Sequence, residues 1–206
     1  MPITIEALAD EQNVAQEVGR LLAMGRETLE AVALITGSGE GQPTGIVTAL
    51  SAAPGSSVVN SKTTDTFAIS DVYALHGSLP ARYRPNAQWL GNNLTYNMIR
   101  QFDVYGGAGL WTTLGNGTPP NLMGYPNLEA EAMDGTINAG QENYNLIFGD
   151  WENYVIADRL GIRAEFIAHL FGTANNRPTG QRGWYAYYRV GADNVNDAAF
   201  RMLDVT

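Results

Sequence analysis

Cysteine is absent from the 206 residues, so neither a disulfide framework nor a thiolate metal site is available. Lys62 is the only lysine, and 12 basic residues stand against 21 acidic ones for a net charge of -9. A protein that grips nucleic acid needs a cation for each phosphate it contacts, so specific nucleic-acid binding is not expected. The two histidines, His76 and His169, lie far apart and outside any His-x-x-x-His or His/carboxylate spacing, so no metal centre or other cofactor is expected. No window approaches 18 consecutive apolar residues, and MPITIEALAD carries neither a basic nor an apolar leader region. The expectation is a chain that neither crosses a membrane nor is secreted.

The most organised stretch runs from residue 11 to residue 47. Advancing 100° per residue from Val14 puts Val18, Leu21, Leu22, Gly25, Leu29, Val32 and Ile35 in one arc, with Glu17, Arg20, Glu27 and Glu30 outside it. This pattern predicts an amphipathic helix over 11–36, about 39 Å long, with Asp10 as N-cap and Gly37 as its stop. A helix of that length reads as a strut, since globular helices average about 11 or 12 residues.

Further along, residues 48–64 are small and polar apart from Val58 and Val59, which predicts a loop with one short strand. Helical spacing recurs over 65–77 and from Asn92 or Asn93 to Phe102, the latter burying Leu94, Met98, Ile99 and Phe102. A strand is expected through 88–90, an extended loop over 106–120, and a strand opening at a sharp turn in LMGYP, 122–126. The last third reads as strands, broken by turns at Gly149-Asp150 and Gly161. From 162 onward the even positions are apolar, as in a half-buried strand, and 184–190 and 199–205 continue the strand pattern. No internal repeat or regular βαβ alternation is present, so the class is α+β and not doubly wound.

Reactive constellations are hard to find. Gly37, Gly39 and Gly41 invite a phosphate loop, but no lysine closes the turn, and the helix precedes the glycines where a dinucleotide fingerprint needs a strand. These glycines read as a turn requiring positive φ. There is no G-x-S-x-G elbow, and Ser78 beside His76 is too local for a triad. Asp150 with Glu152, and Asp193 with Asp197, read as solvated or capping carboxylates in turns. The aromatic run Trp184, Tyr185, Tyr187, Tyr188 suits packing within a sheet or across a subunit boundary better than stacking on bases or sugars in so acidic a chain.

Taken together, several blocks resemble the major capsid proteins of tailed bacteriophages, the Hong Kong 97-like fold. They are Gly37, Gly39, Gln42, Pro43, Thr44, Gly45 and Ile46 after the long helix; RPNAQWLGN at 84–92; LMGYP at 122–126; IFGDWENYVIADRLGIR at 147–163; and GWYAYYRVGADNVNDAAFRML at 183–203. Their order and spacing over nearly the whole chain carry the resemblance. It marks Gly37, Gly39, Gly41, Pro43, Gly45, Gly124, Pro126, Gly149, Asp150 and Gly191 as structural turns, and Trp184, Tyr185, Tyr187 and Tyr188 as a subunit-interface candidate.

The resemblance implies a peripheral domain of spine helix and long antiparallel strands, residues 1–56 and 158–196. It implies an axial domain of a central sheet flanked by helices, residues 57–157 and 197–206. It further implies a non-enzymatic subunit, found in the virion capsid and in the host cytoplasm during assembly. Such subunits form hexamers and pentamers of an icosahedral shell around double-stranded DNA, with scaffolding protein, portal and protease as further partners. The family carries an N-terminal arm and extended hairpin ahead of the spine helix; this sequence begins almost at that helix, so it reads as lacking both and as weakly associating alone. Two alternatives remain: an encapsulin-like nanocompartment shell, and a carbohydrate- or nucleotide-handling enzyme built on the glycine turn.

Overall fold

Strand β1 (Pro2–Thr4) and the short helix α1 (Ile5–Asp10) open the chain. A computed structural model describes residues 2–10, 13–53, 57–106, 111–112 and 121–206. Helix α2 runs Val14–Thr36, 23 residues or about 35 Å at 1.5 Å per residue. Asp10 is not its N-cap but the last residue of α1, and Glu11 lies outside the described residues.

Three later helices follow from local pattern plus burial. Helix α3 (Ile46–Ala52) occupies sequence expected to be loop: Ile46 and Leu50, one turn apart, are both fully buried, and that burial outweighs the small, polar composition around them. Helix α4 (Ile69–Ser78) buries Val72 and Leu75, and the Asp71 carboxylate accepts the N–H groups of Ala68 at 2.8 Å and Lys62 at 3.0 Å. Helix α5 (Asn93–Gly106) is capped by Asn92, whose Oδ1 accepts the Leu94 N–H at 3.0 Å. Leu94, expected in the core, is exposed; Ile99 is buried as expected, with Thr95 and Tyr96 beside it and Met98 and Phe102 packed against the same core.

The remaining strands are β2 (Val58–Asn60), β3 (Ala87–Gly91), β4 (Trp111–Thr112), β5 (Asn121–Leu122), β6 (Tyr125–Glu129), β7 (Tyr144–Asp150), β8 (Tyr154–Ile167), β9 (Gln181–Asn194) and β10 (Phe200–Asp204). The loop expected at 106–120 falls mostly outside the described residues. The turn expected at Gly161 does not form: β8 continues through it for 14 residues. Among the described residues, no helix is long and apolar enough to cross a membrane.

The chain divides into two units: residues 1–30 with 157–191, and residues 31–156 with 192–206. From the sequence the divisions are expected at 56/57, 157/158 and 196/197; the last lies at 191/192 in the structure. Residues 31–56 join the second unit because Ile35, Ile46, Val47 and Leu50 contribute to its core.

The second unit is built on a seven-stranded sheet in the order β2-β10-β7-β3-β6-β5-β4. Its centre is antiparallel, β10 to β7 to β3, while β2–β10 and β3–β6 are parallel. Alternation along the strands feeds two cores. Trp89, Leu146, Phe148 and Leu203 point to the α4/α5 side with Val72, Leu75, Tyr96 and Ile99. Leu90, Ile147, Phe200 and Met202 point to the opposite side with Ile46 and Leu50 of α3.

In the first unit, β9 is the middle strand of a three-stranded sheet β1-β9-β8. Arg26 of α2 ties this unit together. Its Nε donates to Glu30 at 2.8 Å, its guanidinium lies 3.7 Å from the Asp158 carboxylate of β8, and it sits 5.0 Å from the ring centre of Tyr188 in β9.

Candidate assembly surfaces

The glycine turn after α2 is a structure of close backbone approach. Gly37 N–H donates to the Ala33 carbonyl at 2.9 Å, and Gly45 N–H donates to the Gly37 carbonyl at 2.8 Å. A Cβ at Gly37 would overlap the carbonyl oxygens of Ala33 and Pro43, and one at Gly45 would stand 2.5 Å from the Ile35 carbonyl oxygen. Gly39 and Gly41 have positive φ, 81° and 70°. Gly39 N–H is spent on the Pro43 carbonyl and Thr44 N–H on Ala192, so these amides are turned inward. The Tyr154 hydroxyl closes the turn from below, within hydrogen-bond distance of the Leu34 and Thr44 carbonyl oxygens. Burial, reinforced by the Asp193 carboxylate, pushes its pKa up to about 12.

Three of the blocks read in the sequence meet at the central sheet. Trp89 Nε1 donates to the Leu122 carbonyl at 3.0 Å, and its ring stacks on Phe148 with centroids 4.2 Å apart. Between β5 and β6, Met123 and Gly124 both have positive φ, 53° and 84°, the geometry of a two-residue hairpin of the primed type. Beside this turn is a cleft of about 470 Å³ lined by residues 85–88, 124–126 and 150–152, so Gly124, Pro126 and Asp150 are brought together. The Asp150 carboxylate accepts the Glu152 N–H at 3.2 Å, and Asp197 accepts from the Asn194 side-chain amide at 2.6 Å. Gly149 and Gly191 lie inside β7 and β9, not in turns. At Gly149 a Cβ would stand 2.7 Å from the Ala199 carbonyl oxygen, so close packing explains the glycine there.

The aromatic run of β9 divides between two faces because successive residues alternate. Trp184 contacts Phe166 at 5.0 Å and Tyr188 lies under Arg26, on the side of α2. Tyr185 and Tyr187 pair with each other at 5.9 Å on the opposite, open side. Strand β8, expected to be half-buried, leaves Val155, Ile156, Ile162, Phe166 and Ile167 exposed. On α2 the apolar arc is also open: Val18 is its one buried residue, while Leu29 is 66% and Val32 50% exposed. Large apolar side chains left in water in such number mark surfaces that another body covers.

A family model described as the phage capsid family matches residues 1–205. The chain belongs to that family. Among solved structures, this capsid-family chain resembles the capsid of an empty GTA particle, with 29% identity over 100% of this chain and 71% of the other, and a TM-score of 0.82. It also resembles a structure from Mycobacterium phage Ogopogo, 16% identical over 99% of this chain and 73% of the other, TM-score 0.64. A holo-SrpI encapsulin complex from Synechococcus elongatus is similar at 13% identity, covering 100% and 71% of the two chains, TM-score 0.65. No curated protein matches the chain. The α+β architecture of the capsid-family chain is the Hong Kong 97-like fold, with α2 in the place of the spine helix.

Two features escaped the sequence reading of this capsid-family chain. Tyr154 was one residue in an apolar run, and nothing local connects it to Thr44, 110 residues away. The arginines beyond residue 158 are the second feature, and the sequence does signal them: no Lys or Arg occurs between Arg100 and Arg159, and then Arg159 and Arg163 of β8, Arg177, and Arg182 and Arg189 of β9 follow.

Proposed function

We propose that the chain is a structural tile of an icosahedral virion shell, built from copies of itself as hexamers and pentamers around double-stranded DNA. The first unit serves as the peripheral domain and the second as the axial domain. The open faces of α2 and β9, with Tyr185 and Tyr187, serve as copy-to-copy contacts, assembled in the host cytoplasm with scaffolding protein, portal and protease as assistants. The observation that carries this is the family match over 1–205, joined to apolar side chains left exposed on α2, β8 and β9. The acidic surplus lies in the second unit, with 13 Asp and Glu against 5 Lys and Arg, which suits a wall that does not adhere to packaged DNA.

A catalytic role is not part of this reading. The Gly37, Gly39, Thr44 and Gly45 amides are spent on the chain's own carbonyls, and Asp150 and Asp197 are held in hydrogen bonds to neighbouring groups. Likeness to the encapsulin is at the level of fold alone, so it does not favour the nanocompartment reading. Electron microscopy of the purified chain, with light scattering over a concentration series, tests the proposal. Weak, concentration-dependent association, with capsomer rings at the top of the series, is expected; a chain that stays monomeric at every concentration and salt tested overturns it.

A further inference from the structure

Charge is distributed unequally over this molecule. The first unit holds 7 arginines and 8 acids; the second holds the much larger acidic surplus. Within the first unit, Arg159 and Arg189, on neighbouring strands β8 and β9, line one shallow hollow of about 190 Å³. Arg163 shares their face by strand alternation, as do Tyr185 and Tyr187, and this is the face turned away from α2. All three arginines are exposed, and among the described residues none has a hydrogen-bond or ion-pair partner. Glu165 is on the same side of β8, also exposed and unpaired. Like charges side by side across a sheet cost stability, so this cluster is a cost to the isolated chain.

The second unit offers the complement. Its residues 101–156 contain no Lys or Arg and carry seven acids. Glu129, at the end of β6, and Glu131, just past it, are exposed, and among the described residues their carboxylates make no hydrogen bond or ion pair.

We propose that the Arg159–Arg163–Arg189 face of one copy docks on the Glu129–Glu131 edge of the next copy. This rests on the shell-subunit reading and deepens it by naming which surfaces meet. A contact between two different patches is heterologous, the kind that builds a ring where its rotation closes. Exposed charge pairs are individually weak and screened by salt, so the contact sets orientation and partner choice, while Tyr185 and Tyr187 contribute apolar area beside it.

The chain has no native cysteine, which allows a clean cross-linking test. Gly161, between Arg159 and Arg163, has open space around the position of a Cβ, so Gly161→Cys is placed on this face without removing a charge. A second chain carries Ala132→Cys beside Glu131. Mixed in equal amounts with a short bis-maleimide linker, the two should give the heterodimer about tenfold over either homodimer, from two or three exposed pairs. Adding Arg159→Glu and Arg189→Glu to the first chain should abolish that excess. Adding Glu129→Arg and Glu131→Arg to the second should then restore it. Circular dichroism and melting temperature check that each variant folds.

Homodimers equal to heterodimers, an excess unaffected by charge reversal, or no rescue by the swap each overturns the proposal. So does retention of duplex DNA by the unaltered chain that R159E/R189E abolishes without any heterodimer, since the face would then serve nucleic acid. Particles in the electron microscope without this cross-link refute the contact and leave the shell reading standing. A chain that stays monomeric at every concentration and salt refutes the shell reading itself.

Discussion

The hydroxyl oxygen of Tyr154 lies 2.8 Å from the main-chain carbonyl oxygen of Thr44, joining the first residue of β8 to the turn that follows α2. The same hydroxyl is 3.0 Å from the Leu34 carbonyl in the last turns of the helix, where carbonyl groups have lost their helical partners. One phenol therefore holds together the end of the helix, the glycine turn and the start of the long strand.

Tyr154→Phe removes that hydroxyl and leaves the carbonyls without this donor. Unfolding free energy should fall by about 1–2 kcal/mol with an unchanged denaturant slope, read from urea titrations. A change under about 0.3 kcal/mol would mean that water replaces the hydroxyl at no cost.

The glycines of the turn should separate by mechanism. Gly45→Ala forces a methyl group to 2.5 Å from the Ile35 carbonyl oxygen, in a segment packed from both sides, and should cost more than about 3 kcal/mol or prevent folding. Gly41→Ala meets no atom within 4 Å but must hold φ near 70°, which costs about 1–2 kcal/mol. Paired melting curves decide whether this order holds.

Helix α2 contains two glycines, Gly19 and Gly25, with open space around each. Gly25→Ala should raise stability by about 0.5–1 kcal/mol, because glycine loses more backbone freedom on folding and no contact is disturbed. If thermal stability rises while particle yield drops, that part of the helix lies in close contact with a neighbour in the assembled shell.

Leu29 on the same helix is exposed, and Leu29→Gln should leave the isolated chain's stability within about 0.5 kcal/mol of its starting value. Assembly should weaken severalfold, measured as the critical concentration for particles in light scattering, because apolar area lost there is lost only from the contact. An unaltered critical concentration would remove Leu29 from the assembly surface.

His76 supplies a pH test. Its ring lies 5.4 Å from that of Phe148 and 5.5 Å from that of Tyr125, and burial, followed by the Arg84 charge, holds its pKa below the ordinary 6.5. The unfolded chain therefore takes up this proton first as pH falls. The stability linked to His76 is complete above 6.5 and is lost as pH drops from there through the lower folded value. His76→Gln should flatten the decline in melting temperature between about pH 6.5 and 5. An identical decline in both proteins would assign it to carboxylates alone.

Periodicity alone located α2, α4, α5, β3, β9 and β10, because in each the alternation or the helical stripe is strong and local. The five blocks also determined the fold, since glycines that must sit against backbone, as Gly37 and Gly45 do, leave a sequence mark wherever that junction is built. Helix α3 was not legible, because its formation depends on Ile46 and Leu50 meeting Phe200 and Met202, about 150 residues distant in the chain. The passage of β8 through Gly161 and of β9 through Gly191 likewise came from pairing with a neighbouring strand, which overrides a weak local preference for a turn. Most of all, only the tertiary structure decided which apolar side chains are core. Leu29 and Val18 sit in one arc of α2, yet Val18 is buried and Leu29 is open to solvent. A hydrophobic pattern records that a residue is to be covered; whether the cover comes from the same chain or from another copy is settled by long-range geometry.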